Sequence, residues 1–408
     1  MASHVGRYIR WPLAALALAG CHRPAAPTDD ASSPTPAAEA AVAGPPGDVP
    51  AIPFPAPRDA GPAPDAGPRP RRLTFSISGD IVLSPNLVSR AGGDLGAMFG
   101  PVASLLSVQA VSLADLRGPL VARPAHPGPR VFGVEAGQAR AIVRLGYDAL
   151  LVANDHGYDQ GATGLGQTVA ALRGAGSLPL GAGSDPAAAW APQRLERDGI
   201  RVALLGMTQR VAADPGRGDA GSVLARVGDD PAEAVAAVTR SRDGADLVVV
   251  MVHGMRLREG RPTDGPRALV RALVDAGADL VMGTGNPTMA PVERLTSPRG
   301  EAVVAWSLGT LVSGQGLGWH LGTTPAQAAA NPYVYDPRLR DGVVLHCRFD
   351  VSDPAAVRVT GLRANAVWTT LEGGSPRVVL LRNADPRVTS ARLLAVGTAL
   401  GGAVQVRP

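Results

Sequence analysis

Six short apolar runs in this chain each stop on a glycine or a chemically capable residue, and helical stretches lie between them. That pattern constrains the fold more than any other feature of the sequence. "LTFSISGD" alternates Leu73, Phe75 and Ile77 with polar neighbours and ends on Gly79 and Asp80, which is strand spacing. "ALLVAN" runs into Asp155 and His156, "DLVVVMV" into His253, "ADLVMG" into Thr284 and "AVVAWS" into Leu308 and Gly309; "RVALLG" ends at Gly206. "PAEAVAAVTR" predicts a helix with Asp230 as N-cap and Pro231 in its first turn. "GPRALVRALVDAG" gathers Leu269, Val270, Leu273 and Val274 on one face and closes with Gly277. "GLGQTVAALRGAG" groups Leu165, Val169 and Leu172 and stops near Gly174. Strands alternating with helices predict an α/β architecture, in which ligands collect beyond the strand ends. The last part of the chain, with "GVVLHCRFDV" and "RVVLLR", reads as short strands that complete a second sheet.

Composition removes some functions. All 39 basic residues are Arg and the net charge is only +4. The arginines are interleaved with acids, and aromatics make up 4% of residues, so neither an arginine stripe nor a stacking platform for nucleic acid is present. No Cys pair for zinc, G-x-S-x-G or Walker-type phosphate loop occurs.

The N-terminus reads as an export signal over residues 1–20. Arg7 and Arg10 precede the apolar run "WPLAALALAG", which is too short for a membrane span and ends in "LAGC". "LAGC" looks like a bacterial lipobox, which makes Cys21 a lipidation site and the membrane a partner through that anchor. The alternative is a plain cleaved signal with an incidental Cys. His22, in place of an acidic residue, favours the outer membrane or cell surface within the envelope. Residues 21–72, rich in Pro, Ala and Gly, hold too little apolar surface to fold and read as a tether. A folded domain is expected over 73–408. Cys347, the other cysteine, is then left unpaired and is expected to be buried.

The order of motifs from Leu73 to Gly314 resembles the CapA family, the poly-gamma-glutamate capsule synthesis family. The segments that carry the resemblance are "SGDIVLS", "ADLRGPL", "LVANDHGYDQGATGLGQT", "VVVMVHGM", "LVDAGADLVMG" and "WSLGT". The resemblance implies a calcineurin-like metallophosphatase sandwich, two β-sheets flanked by helices in α-β-β-α layers. It also implies a role in the production, export or attachment of a capsule or other anionic polymer. The departures fall on the residues that the family uses for metal or phosphate. An acid is replaced by Arg117, an Asn by Asp155, a His-rich segment by "GTGNP", and a final Asn by Thr310.

Asp80, Asp155 and His253 remain as candidate ligands for one divalent ion of unknown identity, with His156 and Asp155 as candidate catalytic residues. Two-metal hydrolysis, which clamps two ions about 3.5–4 Å apart, is difficult with so few ligands. The first expectation is that Arg117 takes one cation position and binds a phosphate or carboxylate; the alternative leaves Arg117 in solvent on a shifted loop. Asp159 is expected to fix the loop around His156, and Gly161 to allow the turn into the next helix. His320 is a further candidate ligand, and His346 reads as structural. Three functions stay open: an anion-binding domain with a degenerate metal site, an active metal-dependent hydrolase of phosphoester or amide bonds with His156 as general acid, and a non-catalytic envelope scaffold.

Overall fold

The computed structural model describes residues 70–107, 111–125, 130–212 and 222–408. Cys21, the signal 1–20 and nearly all of the tether 21–72 lie outside the described residues. The first strand, Arg72–Ser78, starts one residue before the expected boundary.

Two groups of strands form the centre. The first runs in the order Leu178–Leu180, Ala149–Leu151, Val111–Arg117, Arg72–Ser78, Asp341–Asp353, Ala356–Glu372. The second runs Gln193–Arg197, Ile200–Thr208, Leu247–His253, Leu280–Thr284, Gly300–Leu308, Met289–Ser297. One parallel pairing, Gly300 with Val357, joins them. The four successive strands from Ile200–Thr208 to Gly300–Leu308 are parallel, which suits their continuous apolar sequences, since both faces are covered.

The period-two alternation of strands sorts the second sheet between two cores. Val202, Leu204, Val249, Met251, Met282 and Val303 pack with residues of the first sheet, including Phe75, Leu113 and Phe349. Their neighbours Ala203, Leu205, Val248, Val250, Val281 and Val304 pack instead against Ala234, Val238, Leu269, Val270, Leu273 and Val274. Those last residues belong to the helices Ala232–Ser241 and Asp264–Asp275. Leu165, Val169 and Leu172 of the helix Gly161–Ala175 join the core of the first sheet. The layers are helix, sheet, sheet, helix, as expected.

Local signals hold with small shifts. Asp230 does accept the Ala232 N–H at 2.9 Å, but Pro231 takes the N-cap position. Gly277 follows the helix Asp264–Asp275 with φ +111, and Gly176, two beyond Gly174, caps the helix Gly161–Ala175. The C-terminal part differs more. Asp341–Asp353 and Ala356–Glu372 are long rather than short strands and complete the sheet that contains Arg72–Ser78, and Pro386–Leu400 is a helix. Cys347 is buried and free. No helix among the described residues is long and apolar enough to cross a membrane.

Candidate functional site

The parallel strands point their C-terminal ends the same way, and the polar residues that stop the apolar runs meet there. Val111–Arg117 delivers Asp115 and Arg117. Ala149–Leu151 leads into Asn154, Asp155 and His156. Leu247–His253 and Leu280–Thr284 end side by side, with His253 opposite Thr284. The short strand Asp80–Val82 lies beside the end of Val111–Arg117, with Val82 opposite Arg117. Gly79 permits that placement, because a Cβ there would sit 2.4 Å from the Gly309 carbonyl oxygen.

Arg117 lies inside this cluster, its side chain 11% exposed. Its Nε and Nη2 donate to the two oxygens of Asp155, at 3.1 and 2.8 Å, and its Nη1 lies 3.4 Å from Asp80 Oδ2. The reading that leaves Arg117 in solvent is overturned. A planar guanidinium matches a carboxylate in this paired geometry, and the pairing is strongest where water is excluded.

His253 is held from both sides. Nδ1 is 2.8 Å from Asp115 Oδ2 and Nε2 is 3.2 Å from Asp155 Oδ1. Thr284 Oγ1 donates to the same Asp115 oxygen at 2.6 Å, and Asn154 Nδ2 donates to the other at 2.8 Å. Burial works against the charged ring, but Asp115, followed by Asp155, outweighs it and holds the imidazole pKa up at about 9. His253 is therefore an imidazolium at neutral pH and donates from both nitrogens. Burial would raise Asp155 too, yet its bond from His253 and the charge of Arg117 keep it below the usual carboxylate range. Asp80 goes the other way. Burial, then the nearby Asp115, pushes its pKa well up, against the pull of Arg117.

His156 stands at the edge of the cluster. Its Nδ1 is 2.7 Å from Asp159 Oδ2, its ring stacks on Phe132 at 3.8 Å, and its Nε2 lies 3.9 Å from Asp155. Asp159 also accepts the Phe132 N–H, at 2.6 Å, so it fixes the loop as expected. Gly161 has φ +69 at the turn into its helix. His320 lies in an exposed loop, where its Nδ1 accepts the Gly322 N–H. His346 is held by Ser76 and Asn365 on the first sheet. Neither joins the site.

Asp80, Asp155, His156 and His253 thus converge with Arg117. As arranged, they do not fit a divalent ion. Both Asp155 oxygens are taken by Arg117, one of them also by His253, and Asp80 Oδ2 accepts the Gly285 N–H at 3.0 Å. Nδ1 of His253 is turned to Asp115 and Nε2 to Asp155. Among the described residues, no group of three or more His, Cys, Asp or Glu is placed to hold a metal. In this arrangement Asp80 and Asp155 are ion-pair partners of Arg117, and His253 pairs with Asp115 and Asp155.

Asp115 is the residue that the sequence reading missed. It is fully buried and organises His253, Thr284 and Asn154. Its signal was an acid inside a mostly apolar, buried strand, two residues before Arg117 and so on the same face. Gly285 in "GTGNP" also contributes. It has φ +89, and a Cβ there would meet the His253 ring at 2.6 Å.

Residues 74–315 of the 408 match the family model described as bacterial capsule synthesis protein PGA_cap. The chain belongs to this family. The match coincides with the segment whose motifs carry the resemblance, and it includes every residue of the site. Among curated relatives of this PGA_cap member, the capsule biosynthesis protein CapA of Bacillus anthracis is 26% identical over 60% of this chain and 61% of its own length. The PGA biosynthesis protein CapA of Bacillus subtilis (strain 168) is 28% identical over 43% of this chain and 45% of its own length. The chain thus spans less than two thirds of either relative. A solved 5'-nucleotidase precursor from Thermus thermophilus aligns at TM-score 0.43 and 15% identity, over 80% of this chain and 59% of that one. That likeness is too distant to add to the fold seen directly.

Proposed function

We propose that this chain serves the production, export or attachment of a capsule or other anionic polymer, polyglutamate-like in chemistry. It does so as an envelope protein anchored by lipid on Cys21, at the outer membrane or cell surface. Its strand-tip centre binds an anionic group and does not perform two-metal hydrolysis. The observation that carries this reading is the Arg117 fork on Asp155 with Asp80 alongside. A side-chain cation stands among the carboxylates that a metal would need. Three of the five guanidinium N–H bonds are committed in this way. The remaining two are available to a carboxylate or phosphate that reaches the cluster.

A second reading has its own support. His156, oriented by Asp159 and stacked on Phe132, is placed as a general acid would be. In that reading one divalent ion displaces Arg117, and the chain hydrolyses a phosphoester or amide bond.

The full chain, stripped with chelator and reloaded with Mn2+ or Zn2+, separates the readings. The measurements are metal per chain, hydrolysis of p-nitrophenyl phosphate and of a γ-linked glutamate oligomer, and calorimetric binding of that oligomer. The first reading expects no tightly held ion, no turnover, and binding that weakens in Arg117→Lys, which keeps the charge and loses the fork. One ion per chain, with turnover lost in His156→Ala, establishes the hydrolase instead. If no anion binds, the non-catalytic scaffold is what remains.

A further inference from the structure

A concentration of positive charge lies on the outer face of the first sheet, away from the strand tips. Strand alternation turns Phe75, Leu345, Cys347, Leu362 and Ala364 into the core. The alternate residues Thr74, His346, Arg348, Arg363 and Asn365 take the other face. Register places them side by side: Thr74 opposite Arg348, His346 opposite Arg363, and Asn365 opposite Arg407. Together they line a cavity of about 320 Å3.

Among the described residues, the arginines of this cavity have no acid partner. Arg348 donates to Thr74 Oγ1 at 3.3 Å, and Arg363 and Arg407 make no ion pair among the described residues. The acid next along the Arg348 strand face, Asp350, is held by Arg72 at 2.8 Å and by the Ser352 N–H at 3.0 Å. Asn365 Oδ1 lies 2.9 Å from His346 Nε2, which fixes the imidazole against the cavity wall. Burial, and then the charges of Arg363 and Arg407 against the bond to Asn365, keep the His346 pKa below its ordinary value. The ring feels the field that a ligand would meet.

We propose that this cavity binds a small oxyanion, a carboxylate or a phosphate, through the guanidinium groups of Arg348, Arg363 and Arg407. Three positive side chains lining one cavity on a strand face attract an anion that enters between them. Guanidinium suits oxyanions because its paired N–H donors match their oxygens. The volume accommodates one such group with its immediate substituents. This site is independent of the strand-tip centre and of the function proposed for it.

The test uses the full chain labelled with 13C-histidine, titrated separately with inorganic phosphate and with a glutamate tripeptide. His346 is the reporter, because its resonance moves only when its own surroundings change. The expected result is saturable binding of at least one probe, a shift of the His346 signal and a rise in its pKa. The Arg363→Ala/Arg407→Ala double variant, altered at exposed side chains that make no ion pair among the described residues, is expected to bind about tenfold or more weakly. Tighter binding of the tripeptide assigns the site to an acidic polymer, and tighter binding of phosphate assigns it to phosphate. The proposal is overturned if neither probe moves the His346 signal up to about 10 mM, a very weak affinity. It is equally overturned if the double variant binds as well as the parent.

Discussion

Replacing Arg117 with Gln removes a cation from between two enclosed carboxylates and leaves their desolvation uncompensated. Asp80 is 1% exposed and the Asp155 side chain 15% exposed, so water does not take over the lost role. Breaking one partner of such a pair costs about 3–5 kcal/mol. Unfolding entropy near 2.1 cal/mol/K per residue, over the roughly 340 residues of the folded unit, gives about 0.7 kcal/mol per degree, and hence a Tm drop of about 4–7 °C. The loss should be largest above neutral pH. At about pH 5 Asp80, whose pKa is already raised, takes a proton and escapes part of the cost. Millimolar Mn2+ should restore part of the Tm in the variant, because its carboxylate lone pairs are freed, and should leave the parent unchanged. Differential scanning fluorimetry at two pH values, with and without the ion, measures all of this. A drop of less than about 1.5 °C at pH 8, the size of an exposed ion pair, would refute the enclosed-pair argument.

His253 sets the alkaline limb of stability. Its folded pKa of about 9 lies above its ordinary 6.5, so its contribution is complete below 6.5 and is lost as pH rises toward 9. Urea unfolding from pH 6 to 10 should show that decline, and His253→Gln should flatten it. At the acid end Asp155 acts in the opposite sense, because its depressed folded pKa makes its contribution fall away as pH drops below the ordinary carboxylate value. Asp115→Asn should bring the His253 pKa down, read by NMR titration of the ring, and cost about 2–4 kcal/mol as a buried charge partner is lost; an unmoved pKa would contradict the assigned role. Gly285→Ala forces a Cβ into the His253 ring at a positive φ, and should cost about 1–3 kcal/mol in thermal or urea unfolding. Arg117→Glu, which restores an acid at that place, should give a chain that retains a divalent ion through gel filtration.

The layered architecture was legible because strand and helix periods differ, and runs such as "DLVVVMV" and "RVALLG" are apolar on both faces. The site was legible where a polar residue interrupts such a run at its end, as at Asp80, Asp155 and His253. Asp115 was not, because an acid inside a strand carries no local mark of its partners. Its meaning comes from His253, Thr284 and Asn154, which only the parallel pairing of distant strands brings near. The helix Pro386–Leu400 was hidden for another reason. Leu394 is 74% exposed while Val388, Val396 and Leu400 are buried, so its apolar residues do not make a clean stripe. The strands Asp341–Asp353 and Ala356–Glu372 looked short because charged residues on their outer face break up the apolar pattern, and a register shift near Arg348 and Phe349 interrupts the alternation.

A cation built into the polypeptide differs from a bound ion in one practical respect. It cannot be chelated, starved out or exchanged for a competing metal. A guanidinium at Arg117 keeps its charge from about pH 5 to pH 9, so that one positive charge is set at synthesis. Such a domain would behave the same in metal-poor and metal-rich surroundings, where a relative that depended on free divalent ions would respond to each change in supply.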